Sequence, residues 1–150
     1  MRTLAIDLGA RRVGLALSDE SARLASPLQV LEVSSEQDAA RRVTEIAQKE
    51  DVLRLVVGLP LNMDDTIGPA AKSAARWSRE LAKLSGLPVI LVDERLSSFA
   101  ADQSMSDQKR QGRKMTHKAK KQRRDAIAAA DFLQAFLDGR LKPIEPDTVR

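Results

Sequence analysis

TLAIDLGARRVGLALSD, residues 3–19, is two short apolar runs joined by a glycine-containing turn. Leu4, Ala5 and Ile6 lead into Asp7, Leu8 and Gly9. Arg11 and Arg12 occupy the turn, and Val13 to Leu17 is apolar again with Gly14 inside it. The pattern predicts a β-hairpin. Asp7 lies within the first run and not in the turn, where an Asp would ordinarily cap or bend the chain. A carboxylate on a half-buried strand is costly unless something pairs with it. Two roles for Asp7 remain open on this stretch alone: a strand-end acid bonding turn N–H groups, or a metal ligand or catalytic acid on a rigid element.

Outward from the hairpin, Pro27 to Val33 predicts a third strand. Ser35 and Asp38 form a capping-box-like start, and Ala39, Ala40, Val43, Ile46 and Ala47 recur at helical spacing, so 36–49 is a helix. Val52 to Gly58 is a continuous apolar run that suits a buried parallel strand. After the polar loop 59–68, Pro69 opens a helix whose stripe is Ala70, Ala74, Trp77, Leu81 and Leu84, and Gly86 with Pro88 stops it. Val89 to Val92 is the last strand and runs into Asp93, Glu94 and Arg95. A helical pattern over 96–111 turns polar, 109–117 predicts a loop, and a final helix spans about 118–138. The order is β-β-β-α-β-α-β-α-α. A meander of three strands, with two more reached by helical crossovers, predicts an α/β fold: a five-stranded mixed sheet with helices on both faces.

At 150 residues with 43% hydrophobic content, the chain reads as a single globular domain, 1–150, with a loose tail from about 142 around Pro143 and Pro146. No apolar run reaches the roughly 20 residues that span a bilayer, and no apolar signal core precedes the first strand, so a cytoplasmic location and no membrane are expected. Absence of Cys excludes disulfides and thiolate zinc sites, and the single His117 excludes multi-His sites. An intrinsic metal site must then use oxygen ligands, which favours Mg²⁺ or Mn²⁺. The formal charge of +4 is unevenly spread. Residues 109–124 hold nine of the 25 basic residues and no acid, which leaves 16 basic against 21 acidic elsewhere. Such a run suggests a polyanion partner, although a charge run can also be no more than a solvated loop.

Three acids stand out by context. Asp7 and Glu94 lie at the carboxyl ends of strands that can be parallel neighbours, and ligands bind at that edge of an α/β sheet. Asp93 rivals Glu94, because strand alternation puts the two on opposite sides without saying which side is the site. On a helical wheel Asp125 borders the apolar arc of the last helix, whereas Asp131 faces solvent. Three converging carboxylates repel unless a cation joins them. Two divalent ions clamped by carboxylates serve phosphodiester cleavage.

The segments IDLGARRVGLALSD, VVGLPLNMDD, VDERLSS and KKQRRDAIAAADFLQAFLD, in this order and spacing, resemble the YqgF/RuvX family of RNase H-like, RuvC-related Holliday junction resolvases. Asp65 and Ser97–Ser98 stand where Gly and Thr are usual. The resemblance covers nearly the whole chain. It implies an RNase H-like fold and a metal-dependent nuclease with its acidic triad, catalytic and metal-binding, on Asp7, Glu94 and Asp125, holding two Mg²⁺ or Mn²⁺ ions. It also implies a nucleic-acid substrate. The family is linked to maturation of the pre-16S rRNA 5′ end and, by analogy, to junction DNA. The expected phosphate contacts are Arg11, Arg12, Arg95, Lys118, Lys120, Lys121, Arg123 and Arg124. The 3% aromatic content, without Tyr, disfavours base-stacking platforms and favours backbone and shape contacts, which suit RNA or a junction. The family's RNA link places RNA first, and a homo-oligomer is compatible. Two other classes compete. A sugar-kinase or actin-type ATPase shares the strand–DxG–hairpin opening but needs two domains. A non-catalytic nucleic-acid-binding module would keep the basic run while its acids served only structure.

Overall fold

The computed structural model describes residues 1–62, 64, 66–95 and 117–144, with the side chains of the last segment from Asp125 onward. The hairpin forms as predicted: β1 (Thr3–Leu8) pairs antiparallel with β2 (Arg12–Ser18), and the Gly9 N–H donates to the Arg12 carbonyl at 2.9 Å to close the turn. β3 (Ala25–Glu32) completes the meander. It starts two residues before the predicted Pro27, because Ala25 and Ser26 pair with Ser18 and Leu17. It ends before Val33, whose N–H turns to the Arg11 carbonyl at 2.8 Å.

α1 (Glu36–Lys49) matches its predicted bounds. The Ser35 side chain accepts from the Asp38 N–H, satisfying one of the donors that a helix start leaves open. β4 (Arg54–Leu59) begins later than the predicted Val52, since Leu53 is exposed and donates its N–H to the Arg2 carbonyl. α2 (Pro69–Ser85) has Pro at its start and left-handed Gly86 at its end. The Trp77 indole N–H reaches the Glu36 carbonyl at 2.8 Å, tying α2 to α1. β5 (Val89–Asp93) and α3 (His117–Leu137) follow. The helix expected over 96–111, and the loop at 109–117 apart from His117, lie outside the described residues.

The sheet order is β3-β2-β1-β4-β5, with β1, β4 and β5 parallel, so the carboxyl ends of three neighbouring strands share one edge. Strand alternation sorts the two faces. Leu4, Ile6, Val13, Leu15, Leu55, Val57 and Leu91 pack under α1 and α2. Ala5, Ala16, Val56 and Val92 pack under Ala129, Phe132 and Leu133 of α3. Small residues on the α3 side bring that helix close to the sheet. Gln134 fastens it near its C-terminal end: its Oε1 accepts the Ala25 N–H and its Nε2 donates to the Arg23 carbonyl, both at 2.9 Å.

One sequence expectation needs correction. Asp131 does not face open solvent. α3 is buried almost all round from Ala126 to Ala130, and Asp131 is partly buried with its Oδ2 lacking a hydrogen-bond partner among the described residues. Of the tail expected from about 142, Ile144 donates its N–H to the Leu91 carbonyl at 2.7 Å and packs against the core, and residues 145–150 lie outside the described residues.

Candidate active site

Asp7 is the next residue after Ala5 on the α3 face of β1, and Gly14 stands directly opposite it on β2. On the other side, β4 presents Gly58 in the same row, one step beyond Val56. The parity of β5 puts Glu94 on this face with Val92, and a Cβ added at Gly58 would lie 2.8 Å from the Glu94 Oε2. α3 enters over the same row, with the Asp125 backbone against Gly14. Asp7 therefore has a glycine on each side, and the absent side chains leave room for the other two acids.

Asp93 points the other way. Its carboxylate takes Arg95 by several bonds, including Nη2 to Oδ2 at 2.6 Å, and Arg95 also donates to the Asn62 carbonyl at 2.7 Å. Burial pushes the Asp93 carboxyl up, but the Arg95 hydrogen bonds and charge outweigh it and hold it below the usual range. Arg95 thus ties the end of β5 to the loop after β4.

The electrostatics at the row are those of crowded carboxylates. Burial, and then the charge of Asp125, raise Asp7, while a hydrogen bond with Glu94 opposes the rise. Glu94 is pushed up to about 9, first by burial, then by the Asp7 charge and the hydrogen bond to it, with Asp93 and Asp125 adding to the effect. Both acids keep some exposed surface, yet protein encloses them on enough sides to make ionisation costly. Near neutrality Glu94 carries the proton and donates it to Asp7. The hydrogen bond that bears on the Asp7 carboxyl is the one with Glu94, across the row. The Asp125 Oδ2 lies 3.5 Å from the Arg12 Nε.

Each acid thus leans on a positive stand-in, a shared proton for Asp7 and Glu94 and a guanidinium for Asp125. Among the described residues no three acids stand closely enough to hold one ion as the side chains now lie. The donor set is nevertheless all oxygen, and the places a divalent cation would neutralise are those the proton and Arg12 serve. A donor set of carboxylate oxygens is the kind that suits a hard divalent cation.

A cleft of about 660 Å³ opens beside Asp7 and Asp125, walled by Gly9, Ala10, Arg11, Arg12, Glu32 and Val33. Arg11 and Arg12 are therefore beside the acids, while Lys118, Lys120, Lys121, Arg123 and Arg124 lie on the first turns of α3, their side chains outside the described residues. Sequence reasoning missed Gly14, Gly58, Glu32 and Val33. A glycine inside a strand is itself a signal of close backbone approach, and Gly14 and Gly58 carried it.

A pH dependence follows for the metal-free protein. Burial and the neighbouring Asp7 push the Glu94 carboxyl up to about 9, from an ordinary value of 4.5, so the folded state holds an extra proton between those values. The resulting stabilisation is full below pH 4.5 and is lost as pH rises toward 9. Melting temperatures in EDTA should fall from pH 5 to pH 9. Asp7→Asn should weaken that slope without lowering stability at neutral pH, because it removes one charge from the cluster. A large drop in melting temperature would restore a structural role for Asp7.

The fold is that of RuvC. The RuvC structure of Thermus thermophilus superimposes with a TM-score of 0.58 at 18% identity, covering 96% of this chain and 100% of that one. The complex of the same organism's RuvC with a Holliday junction substrate gives 0.56 at 17%, covering 96% and 99%. The RuvX family, described as Holliday junction resolvase, matches residues 1–139, and the chain belongs to it. A relative from Acidiphilium cryptum is 39% identical over 137 residues, covering 91% of this chain and 84% of its own. Another from Anaeromyxobacter sp. strain Fw109-5 is 41% identical over 140 residues, covering 93% and 98%. Both bear the name "Putative pre-16S rRNA nuclease". The chain is accordingly a nuclease, an enzyme that hydrolyses phosphodiester bonds.

Proposed function

We propose that this nuclease matures the 5′ end of pre-16S rRNA in the cytoplasm, with Asp7, Glu94 and Asp125 holding two divalent ions, Mg²⁺ or Mn²⁺. The observation that carries the site is the Gly14–Asp7–Gly58 row at the carboxyl edge, which Asp7 of β1, Glu94 just past β5 and Asp125 of α3 line beside an arginine-walled cleft. The relatives' names support the RNA substrate. When bound, such ions activate water and stabilise the leaving oxygen. Asp7, Glu94 and Asp125 would hold the ions as carboxylates, with the Glu94 proton passing to solvent water, and Arg11 and Arg12, which wall the cleft, would orient a backbone phosphate there. Lys118, Lys120, Lys121, Arg123 and Arg124 extend the phosphate track along α3. Arg95, engaged by Asp93 and Asn62, holds the neighbouring loop.

The family description favours one second substrate, junction DNA. A cleavage panel separates the two: 5′-extended 16S precursor, unstructured single-stranded RNA and a four-way DNA junction, each with Mg²⁺ or Mn²⁺. Cleavage of the precursor alone supports the proposal. Cleavage of the junction with the RNAs intact transfers the activity to DNA, and no cleavage of any substrate removes the catalytic assignment.

A further inference from the structure

We infer that Gly14 is a positioning residue that sets the separation between the Asp7 and Asp125 carboxylates, and so the affinity with which they share a divalent ion. The inference rests on the assignment of those acids as metal ligands. Gly14 is directly opposite Asp7 in the β1–β2 ladder, and directly opposed residues of an antiparallel pair point to the same face. A Cβ at Gly14 would lie 2.3 Å from the Asp125 carbonyl oxygen, 2.5 Å from its carbonyl carbon and 3.0 Å from the Ala126 nitrogen. All three are helix backbone atoms, so no rotamer change relieves the overlap.

Neither partner can recede freely. β2 is backed by Val13 and Leu15, both fully buried on the opposite face, and α3 is seated on the sheet by fully buried Ala129, Phe132 and Leu133. With a methyl group at position 14, the helix has to lift by about 1 Å at its Asp125 end to reach ordinary contact. The carboxylate of Asp125 then moves away from Asp7 by a similar amount. A shift of that size is enough to matter: supporting residues around metal sites typically change affinity about 10- to 100-fold, and misplacement by about 1 Å can have effects of that order.

The experiment is Mn²⁺ titration by calorimetry on the full chain at one pH. Gly14→Ala should weaken Mn²⁺ binding about 10- to 100-fold. Asp125→Glu alone should also weaken it, because a side chain longer by one carbon–carbon bond, about 1.5 Å, overshoots a fixed gap. The double variant Gly14→Ala with Asp125→Glu should bind more tightly than Gly14→Ala, since the longer side chain spans the widened gap. Gly86→Ala, with its backbone at φ 72° and nothing within 4 Å, is the control. It should lower the melting temperature and leave Mn²⁺ affinity unchanged. Wild-type affinity in Gly14→Ala overturns the inference. If Gly14→Ala does not fold, Asp125→Glu decides: wild-type affinity there shows that the gap is not fixed. Unchanged affinity in Asp125→Asn overturns the ligand assignment itself, and distinguishes that failure from failure of the positioning role.

Discussion

Asp7→Asn should abolish cleavage, with turnover falling by roughly a thousandfold or more. Charge stabilisation by bound ions amounts to several kcal/mol in the transition state, and each 1.36 kcal/mol is about tenfold in rate. Asp7 is central to the row: it hydrogen-bonds Glu94, and it shares a face with Asp125 across Gly14. The amide keeps the size of the side chain while removing its charge. Asp131→Asn is the comparison. Burial raises the Asp131 carboxyl, so ionising it destabilises the fold as pH climbs through its folded value. The amide should retain activity and slightly raise the melting temperature at neutral pH. Equal loss of turnover in both variants would mean that the acid on the cleft side of α3 has been misassigned.

The second large effect concerns the start of α3. Neutralising Lys118, Lys120, Lys121, Arg123 and Arg124 together should weaken nucleic-acid binding across all sequences and flatten its salt dependence. Each phosphate contact contributes a slope of about −0.7 on single strands and about −0.9 on duplex DNA, so five contacts account for roughly 3.5 to 4.5 in slope. Lys121 precedes Asp125 by one helical turn, so a phosphate held there is delivered toward the acids. Sequence preference should change little, because phosphate contacts position a substrate without reading bases. Unchanged affinity and slope in the five-fold variant would leave the substrate path to Arg11, Arg12 and Arg95.

The elements were legible in the sequence where one local signal fixed them. α1 was bounded by the Ser35 cap and its apolar stripe, and α2 by Pro69 and Gly86. What the residues alone left open was whatever depended on register or on partners far along the chain. Asp93 and Glu94 are adjacent, and only the pairing of β5 with β4 tells which shares a face with Asp7. Asp131 was misplaced because a helical wheel assumes one buried face, whereas α3 is enclosed on several. The sequence singled out Arg12, which borders the cleft, but not as the partner of Asp125, 113 positions later. Gly14 carried a visible signal without its meaning, since the backbone that passes over it is equally remote.

The Gln134 bonds give α3 a mechanical character. Nine residues separate Gln134 from Asp125 along a rod that rises about 1.5 Å per residue, a lever arm of about 13 Å. Tilting the rod about that pivot by about 5° swings the Asp125 end through roughly 1 Å, the scale on which reacting groups lose their alignment. The fulcrum rests on the carbonyl of Arg23 and the N–H of Ala25, at the turn between β2 and β3 and far from the carboxyl edge of β1. The place of Asp125 over the row thus depends partly on a side chain at the opposite edge of the sheet, whose bonds go to Arg23, Ala25 and Asp138 and to none of Asp7, Glu94 and Asp125.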